Sequence, residues 1–259
     1  MKLGDKPPKR EVAAPPLRTC VIIPVFNEEQ SIPLVLGGIP ANLVQEIVVV
    51  DNGSTDATAR IAAAMGATVI TQTRRGYGSA CLAGLDYLRT QSPDIVVFLD
   101  GDFSDHSNEM PQLLAPIQED GYDLVVGSRT LGRAEEGALL PQARLGNRLA
   151  VFLLWALYGA HYTDLGPFRA ARYERLMALG MKDKDFGWTV EMQARAALAG
   201  WRTLEVPVSY RRRVGESKIT GTFSGTIRAG IKILSTLLLL RLTGNARQGR
   251  EKIEVPRMP

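Results

Sequence analysis

Val, Ile and Leu fall in short unbroken runs through the first half of the chain, and polar turns separate these runs from stretches with helical spacing. TCVIIPVF (19–26), EIVVVD (46–51), ATVITQ (67–72), DIVVFLD (94–100) and YDLVVGSR (122–129) predict five strands. Between them QSIPLVLGGI, GSTDATARIAAAMG, GYGSACLAGLDYLRT and NEMPQLLAPIQE predict helices. The second of these is expected to take Ser54 or Asp56 as its N-cap and to stop at Gly66. Strands that are apolar throughout are buried on both faces. The pattern therefore predicts an α/β domain, a mostly parallel central sheet with helices on both faces. Ligands of such sheets bind beyond the carboxyl ends of the strands, and Asp51, Asp100 and Asp102 all fall there.

After residue 130 the alternation stops. AEEGALLPQARLGNR predicts a mobile loop leading into a helix at 149–160, and WTVEMQARAALAG (188–200) predicts another helix. WRTLEVPVSY reads as a short extended piece with Pro207 near a sheet edge, RRRVGESKITGT as a basic loop, and the last helix as roughly 222–242. The apolar runs LAVFLLWALYGA (149–160) and IKILSTLLLLRL (231–242) are shorter than the ~20 residues a membrane span needs. Flanked by Arg148, Lys232 and Arg241, they suit either a membrane interface or packing against the core or a second copy of the chain. The expected organisation is a disordered tail over 1–17 with no signal peptide, a main domain over 18–218, an amphipathic helix over 219–245 and a polar tail over 246–259.

Composition adds two points. The 259 residues, 45% hydrophobic and 22% charged, suit a soluble globular protein with ample core. The net charge of +4 is uneven: residues 202–252 hold eleven Lys/Arg and three Glu, a local +8, against −4 elsewhere. An anionic partner is expected at that end. It is not expected to be nucleic acid, because only Tyr210 and Phe223 interleave the basic residues and no recognised module is present. Cys20 and Cys81 sit in apolar runs and read as small core residues in a reducing compartment.

The chemistry concentrates in FLDGDFSDH (98–106), where Asp100, Asp102 and Asp105 crowd behind a buried strand. Such crowding is unfavourable unless a cation offsets it. Carboxylates at i and i+2 on a turn can aim oxygens at one point, and hard oxygen donors suit Mg²⁺ or Mn²⁺ bridging to a diphosphate. An isolated Asp-x-Asp is more often a solvated turn, but this one has company in PVFNEE (24–29) and VVVDNGSTDAT (48–58). Asp51 can accept from a base N–H or a ribose hydroxyl, and Glu28 or Asn27 can complete that pocket. Gly76-Tyr77-Gly78 imitates a dinucleotide fingerprint, but its third position is Cys81 and it follows the third strand rather than the first. Arg74 and Arg75 just ahead suit diphosphate or loop contacts. Hydrolase chemistry finds no G-x-S-x-G elbow, His106 and His161 have no evident nucleophile, and Cys/His zinc spacing is missing.

PVFNEE, VVVDNGSTD, the RRGYG-led helix, FLDGDFSD, VVGSR, TDLGPFRA, GWTVEMQ and RRRVGESK occur in an order that resembles family 2 glycosyltransferases of GT-A fold. The resemblance spans roughly residues 18–240, and Arg212 to Lys218 (R-x-x-G-x-S-K) narrows it to the polyprenyl-phosphate and dolichyl-phosphate branch. It implies that Pro24, Asn27, Glu28, Asp51, Gly76 and Asp100 hold the nucleotide, and that Asp100 and Asp102 hold Mg²⁺ or Mn²⁺. It further implies catalytic places for Asp102, Arg129 and Glu191, and phosphate contacts from Arg129, Arg212, Ser217 and Lys218. The chain departs from the family in carrying Asn52 where Asp is common and Ser104 where mannosyl members often have Gln, which leaves Asp105 as a substitute ligand. The activity implied is inverting transfer of a hexose from a UDP- or GDP-sugar to a lipid phosphate. The enzyme would sit on the inner face of the membrane as a peripheral protein and could self-associate. The alternatives are a family 2 enzyme with a hydroxyl acceptor and a non-catalytic nucleotide-binding protein.

Overall fold

The computed structural model describes residues 17–215 and 230–242. Among the described residues seven strands form one sheet: β1 Thr19–Val25, β2 Glu46–Asp51, β3 Thr68–Thr71, β4 Ile95–Phe98, β5 Leu124–Ser128, β6 Arg169–Arg172 and β7 Thr203–Pro207. Their order is β3-β2-β1-β4-β6-β5-β7. β1 pairs in parallel with β2 and β4, β2 with β3, and β5 with β7; β6 alone runs antiparallel, to both β4 and β5.

The helices are α1 Ile32–Gly37, α2 Thr58–Ala64, α3 Tyr77–Tyr87, α4 Met110–Glu119, α5 Pro141–Tyr158, α6 Tyr173–Leu179 and α7 Trp188–Leu198. A further helical stretch, α8, covers 230–242. Alternate residues of each strand face opposite layers. Cys20 and Ile22 of β1 join Val48, Val96 and Phe98 in a core shared with α3, α5, α6, α7 and α8. Val21, Ile23 and Val25 join Val49 and Val97 in a core shared with α1, α2 and α4. The expected α/β architecture with helices on both faces is the one observed.

Three local expectations differ. β6 is RAAR, four residues with no β-branched or aromatic side chain, so no propensity marks it as a strand. α5 starts at Pro141, well inside the stretch expected to be a loop. Proline suits a first turn, where its missing N–H has no helical partner. The N-cap of α2 is Ala57, with no side-chain cap hydrogen bond. Asp56 Oδ1 instead accepts from Thr58 N at 3.0 Å, and Ser54 Oγ accepts from Asn27 N at 2.9 Å.

Candidate active site

A cavity of about 320 Å³ opens beyond the carboxyl ends of β1, β2 and β4. Pro24 lies near the end of β1 and Phe26 and Glu28 follow it, Asn52 follows β2, and Asp100, Gly101 and Asp102 follow β4. Arg75, Gly76, Tyr77 and Ala80 wall it from the start of α3, with Phe186 and Arg213 closing it. A larger hollow of about 500 Å³ lies against α3 between Arg74, Leu82, Leu85, Met177 and Lys184. Its one carboxylate, Asp86, is spent on Arg89 at 2.7 Å, so the acidic chemistry belongs to the smaller cavity.

The loop after β1 is cross-linked to the loop after β2. Asn27, at φ 54°, accepts from Thr55 N at 2.7 Å through Oδ1, and Glu28 N donates to Thr58 Oγ1 at 2.8 Å. Asp51 is buried and accepts from Ser54 N at 3.0 Å, which rounds the turn. It is the neighbouring Asn52 that reaches the cavity wall. Asn52 Nδ2 donates to the carbonyls of Gln72 and Arg74 at 2.8 and 2.7 Å, while Oδ1 accepts from Gly76 N at 2.8 Å. Two donors and one acceptor are what an amide offers and a carboxylate does not. Held by this staple, Arg75 lies over the Phe26 ring at 3.7 Å and donates to the Gly53 carbonyl.

The two glycines that imitate a dinucleotide fingerprint have a packing reason. Gly78 N donates to Asp185 O at 3.2 Å and Ser79 N to Lys184 O at 2.8 Å. Gly76 has φ +136°, and a Cβ there would stand 2.1 Å from the Lys184 carbonyl oxygen. Gly76→Ala is expected to cost about 2 kcal/mol through overpacking and strain. Urea unfolding measures it; a loss below 0.5 kcal/mol (roughly the range of neutral surface changes) would contradict this packing.

The acidic turn is partly satisfied from within. Asp102 Oδ1 accepts from Ser104 N at 2.9 Å and from Ser104 Oγ, and Oδ2 faces Arg213 Nη1 at 3.3 Å. Arg213 Nη2 also reaches Glu28 Oε1 at 3.1 Å. Asp100 Oδ1 and the neighbouring Tyr77 hydroxyl are both buried without a well-formed hydrogen bond, though the hydroxyl lies close enough to favour the charged carboxylate. Burial first, then the charge of Asp102, pushes the Asp100 carboxyl up to about 7. Asp105 is buried with both oxygens unpartnered, and burial followed by Asp100 and Asp102 holds its carboxyl well above the usual range.

These oxygens fit a hard divalent cation. Among the described residues no three His, Cys, Asp or Glu side chains form a cage for one. Mg²⁺ nevertheless commonly takes only one or two carboxylates and completes its shell with phosphates and water. The orphaned Oδ1 of Asp100 beside Asp102 supplies that donor set. A carboxyl with a raised pKa destabilises the fold progressively as pH climbs from about 4, its unfolded value, to about 7. The metal-free protein should therefore melt lower at pH 8 than at pH 5.5 on account of this group. With a nucleoside diphosphate present to complete the metal's shell, added Mn²⁺ should raise Tm more at pH 8, where the carboxylate is charged. Equal Mn²⁺ shifts at both pH values in thermal scans would refute the assignment.

The other expected residues fall as follows. Arg129 sits behind the acidic turn, clasped by Asp164: N and Nε donate to Oδ2 at 2.8 Å each and Nη2 to Oδ1 at 2.7 Å. Burial opposes the charge of Arg129, but Asp164 outweighs burial and raises its pKa. Glu191, on α7, is buried and does not wall the cavity. Its carboxylate accepts from Lys182 N at 3.1 Å and Asp183 N at 2.6 Å and pairs with Arg195 at 2.6 Å. Arg212 turns away from the cavity, donating Nε to the Glu136 carbonyl at 2.6 Å and N to Glu135 Oε2 at 2.9 Å. Ser217 and Lys218 lie outside the described residues.

Arg213 and Asp164 are the residues that sequence reasoning passed over. The alternation of an extended segment could have pointed to the first. Arg211 stacks on Phe103 at 3.7 Å and Arg213 meets Asp102, both toward the acidic turn, so Arg212 between them faces the other way. Arg211 N and Val214 N donate to the carbonyls of Ser104 and Asp102, fixing that register.

Residues 20–174 match the family model of Glycosyl transferase family 2. A dolichyl-phosphate hexose transferase of Haloferax volcanii is 38% identical, across 86% of this chain and 95% of its own. An undecaprenyl-phosphate mannosyltransferase of Micrococcus luteus is 31% identical, across 81% of this chain and 90% of its own. Glucosyl-3-phosphoglycerate synthase from Mycobacterium tuberculosis, solved with Mn²⁺, uridine diphosphate and phosphoglyceric acid, superposes with a TM-score of 0.70 at 26% identity, covering 87% of this chain and 78% of that one.

Proposed function

The chain belongs to glycosyltransferase family 2 and has a GT-A fold, and from that premise we propose that it transfers a hexose, with inversion, from a UDP-glucose- or GDP-mannose-type donor to a polyprenyl-phosphate lipid. The observation that carries the proposal is the cavity at the strand ends, with Asp100 and Asp102 on one side and Arg213 across from them. The lipid acceptor is supported by the names of the two relatives, a dolichyl-phosphate hexose transferase and an undecaprenyl-phosphate mannosyltransferase.

In this scheme Pro24, Asn27, Glu28, Asp51 and Gly76 shape the nucleoside end of the cavity. Mg²⁺ or Mn²⁺ on Asp100 and Asp102 would supply positive charge to the leaving diphosphate. Arg129, oriented by Asp164, is assigned to the acceptor phosphate with Ser217 and Lys218 of the basic loop, and Arg212 would join them only by leaving Glu135 and Glu136. A phosphate with its second pKa at ~6 arrives already anionic, so the attack needs no general base. Glu191 then acts as a positioning residue. Its carboxylate holds the backbone of 182–183, which leads into the strap packed on α3.

A second reading, a small phosphorylated acceptor with a free hydroxyl, draws on the synthase solved with phosphoglyceric acid. One experiment separates the two. Labelled UDP-glucose and GDP-mannose are offered with Mn²⁺ and either polyprenyl phosphate or phosphoglyceric acid. Label in the organic phase supports the lipid acceptor; label only in phosphoglyceric acid replaces it with the second reading. Release of free sugar with no acceptor labelled in either arm rejects both.

An oily acceptor also gives the apolar helix faces a use. Leu149, Phe152 and Trp155 of α5 and Leu238, Leu239 and Leu242 of α8 are each roughly half exposed or more. No helix among the described residues is long and apolar enough to cross a membrane. Attachment is therefore proposed at the inner membrane surface, through these faces and their flanking Arg148, Lys232 and Arg241. The protein is expected to float with anionic vesicles, and Phe152→Ser/Trp155→Ser to stay at the bottom of the gradient. Equal flotation of both would instead leave these faces to contact between copies of the chain.

A further inference from the structure

Asp102 has two oxygens and three uses. Ser104 N and Oγ occupy Oδ1, and Arg213 Nη1 occupies Oδ2 at 3.3 Å, so a cation bound through Oδ2 meets a guanidinium already in place. Arg213 is not there by default of packing. Its second nitrogen spans to Glu28 Oε1 at 3.1 Å, tying together the loops after β1 and β4, and its side chain is 27% exposed. Val214 N on Asp102 O and Arg211 N on Ser104 O hold the backbone on both sides of it against the same turn. The cavity thus carries its own monovalent cation, fastened to the carboxylate that would take a dication.

We propose that Arg213 and the divalent cation exchange on Asp102, so that the metal enters together with the donor's diphosphate rather than alone. A dication and a guanidinium on one carboxylate oxygen repel each other, so without a nucleotide the tethered Arg213 keeps the metal out. A diphosphate brings the anionic oxygens that the dication needs to complete its shell, and it offers the guanidinium a bidentate acceptor to replace Asp102. Arg213 therefore suppresses metal binding in the empty cavity and promotes nucleotide binding in the filled one. This inference rests on the assignment of the metal to Asp100 and Asp102, and the test is arranged to separate the two.

Free Mn²⁺ is followed by electron paramagnetic resonance during titration of the full chain, with and without UDP or GDP. The wild type should bind Mn²⁺ weakly alone and at least tenfold more tightly with a nucleotide. Arg213→Met should bind Mn²⁺ alone about tenfold more tightly than wild type and bind nucleotide about tenfold more weakly at saturating Mn²⁺. Arg213→Gln, which removes the charge and keeps a polar amide, should shift both in the same directions and serves if the methionine variant does not fold. Unchanged or weaker binding of Mn²⁺ alone by a folded, neutral variant overturns the exchange while leaving the metal assignment standing. No Mn²⁺ binding by any of the proteins, with either nucleotide, overturns both.

Discussion

Alanine in place of Asp102 is expected to lower sugar transfer by about a thousandfold while the chain remains folded. The loss is electrostatic. Asp102 is one of two carboxylates proposed to hold the dication, and removing one pre-placed stabilising group from such a site typically costs about 10²–10³ in rate. Losing a metal ligand as well places the effect at the upper end. The structural cost is smaller and can be separated from it. Ser104 N loses its acceptor, for about 1–3 kcal/mol, but Arg213 keeps Glu28. Asp102→Asn keeps an oxygen for Ser104 and removes the charge, so it should lose activity nearly as severely while melting close to wild type. Turnover is read with labelled donor and folding by circular dichroism. Near-normal transfer by folded Asp102→Asn would reject the role given to this carboxylate.

Asp164→Ala should be the most damaging single change to stability, costing about 3–5 kcal/mol, because it strands a buried arginine. Asp164 is 1% exposed and takes three hydrogen bonds from Arg129. The residue is itself held from both sides. Glu205 accepts from Thr163 N at 2.7 Å and Asp164 N at 3.0 Å, and Asn147 brackets the turn through Thr163 O and Leu165 N. The paired variant Arg129→Met/Asp164→Ala should recover much of the loss, since it removes both charges rather than one. Urea denaturation of the wild type, Arg129→Met, Asp164→Ala and the double variant gives the coupling. A loss below 1 kcal/mol (a typical exposed pair gives roughly that or less) for Asp164→Ala would show that Arg129 has other support.

The comparison of pattern with structure shows where each kind of signal ends. The run VVVD was legible as a buried strand ending in an acidic residue because apolar continuity and strand length are local properties. β6 was not, because RAAR lies between β4 and β5 by virtue of neighbours far away in sequence, and its Arg169 is buried by donating to the carbonyls of Leu165, Gly166 and Thr189. The start of α5 was hidden by a stretch rich in turn residues. The acidic turn was visible from its crowding alone. Which arginine of the 211–213 triplet faces it depends on strand-like alternation and on the backbone pairing to residues 102–104, neither of which a motif conveys. Glu191 stood out as an acid near a family motif, yet three partners engage its carboxylate, a fact that belongs to the packing of α7 against the 182–183 backbone.

Asp183 serves two neighbours. Its carbonyl oxygen is where a Cβ on Gly78 would collide, 2.2 Å away, at the start of the helix that walls the cavity. Its carboxylate is shared by Lys232 and Thr236 of α8 at 3.0 and 3.2 Å. One residue is thus the common footing of the cavity wall and the C-terminal helix. If α8 rests on a bilayer, this shared footing sets how high the cavity stands above the surface, and so how far a lipid headgroup must rise to reach it.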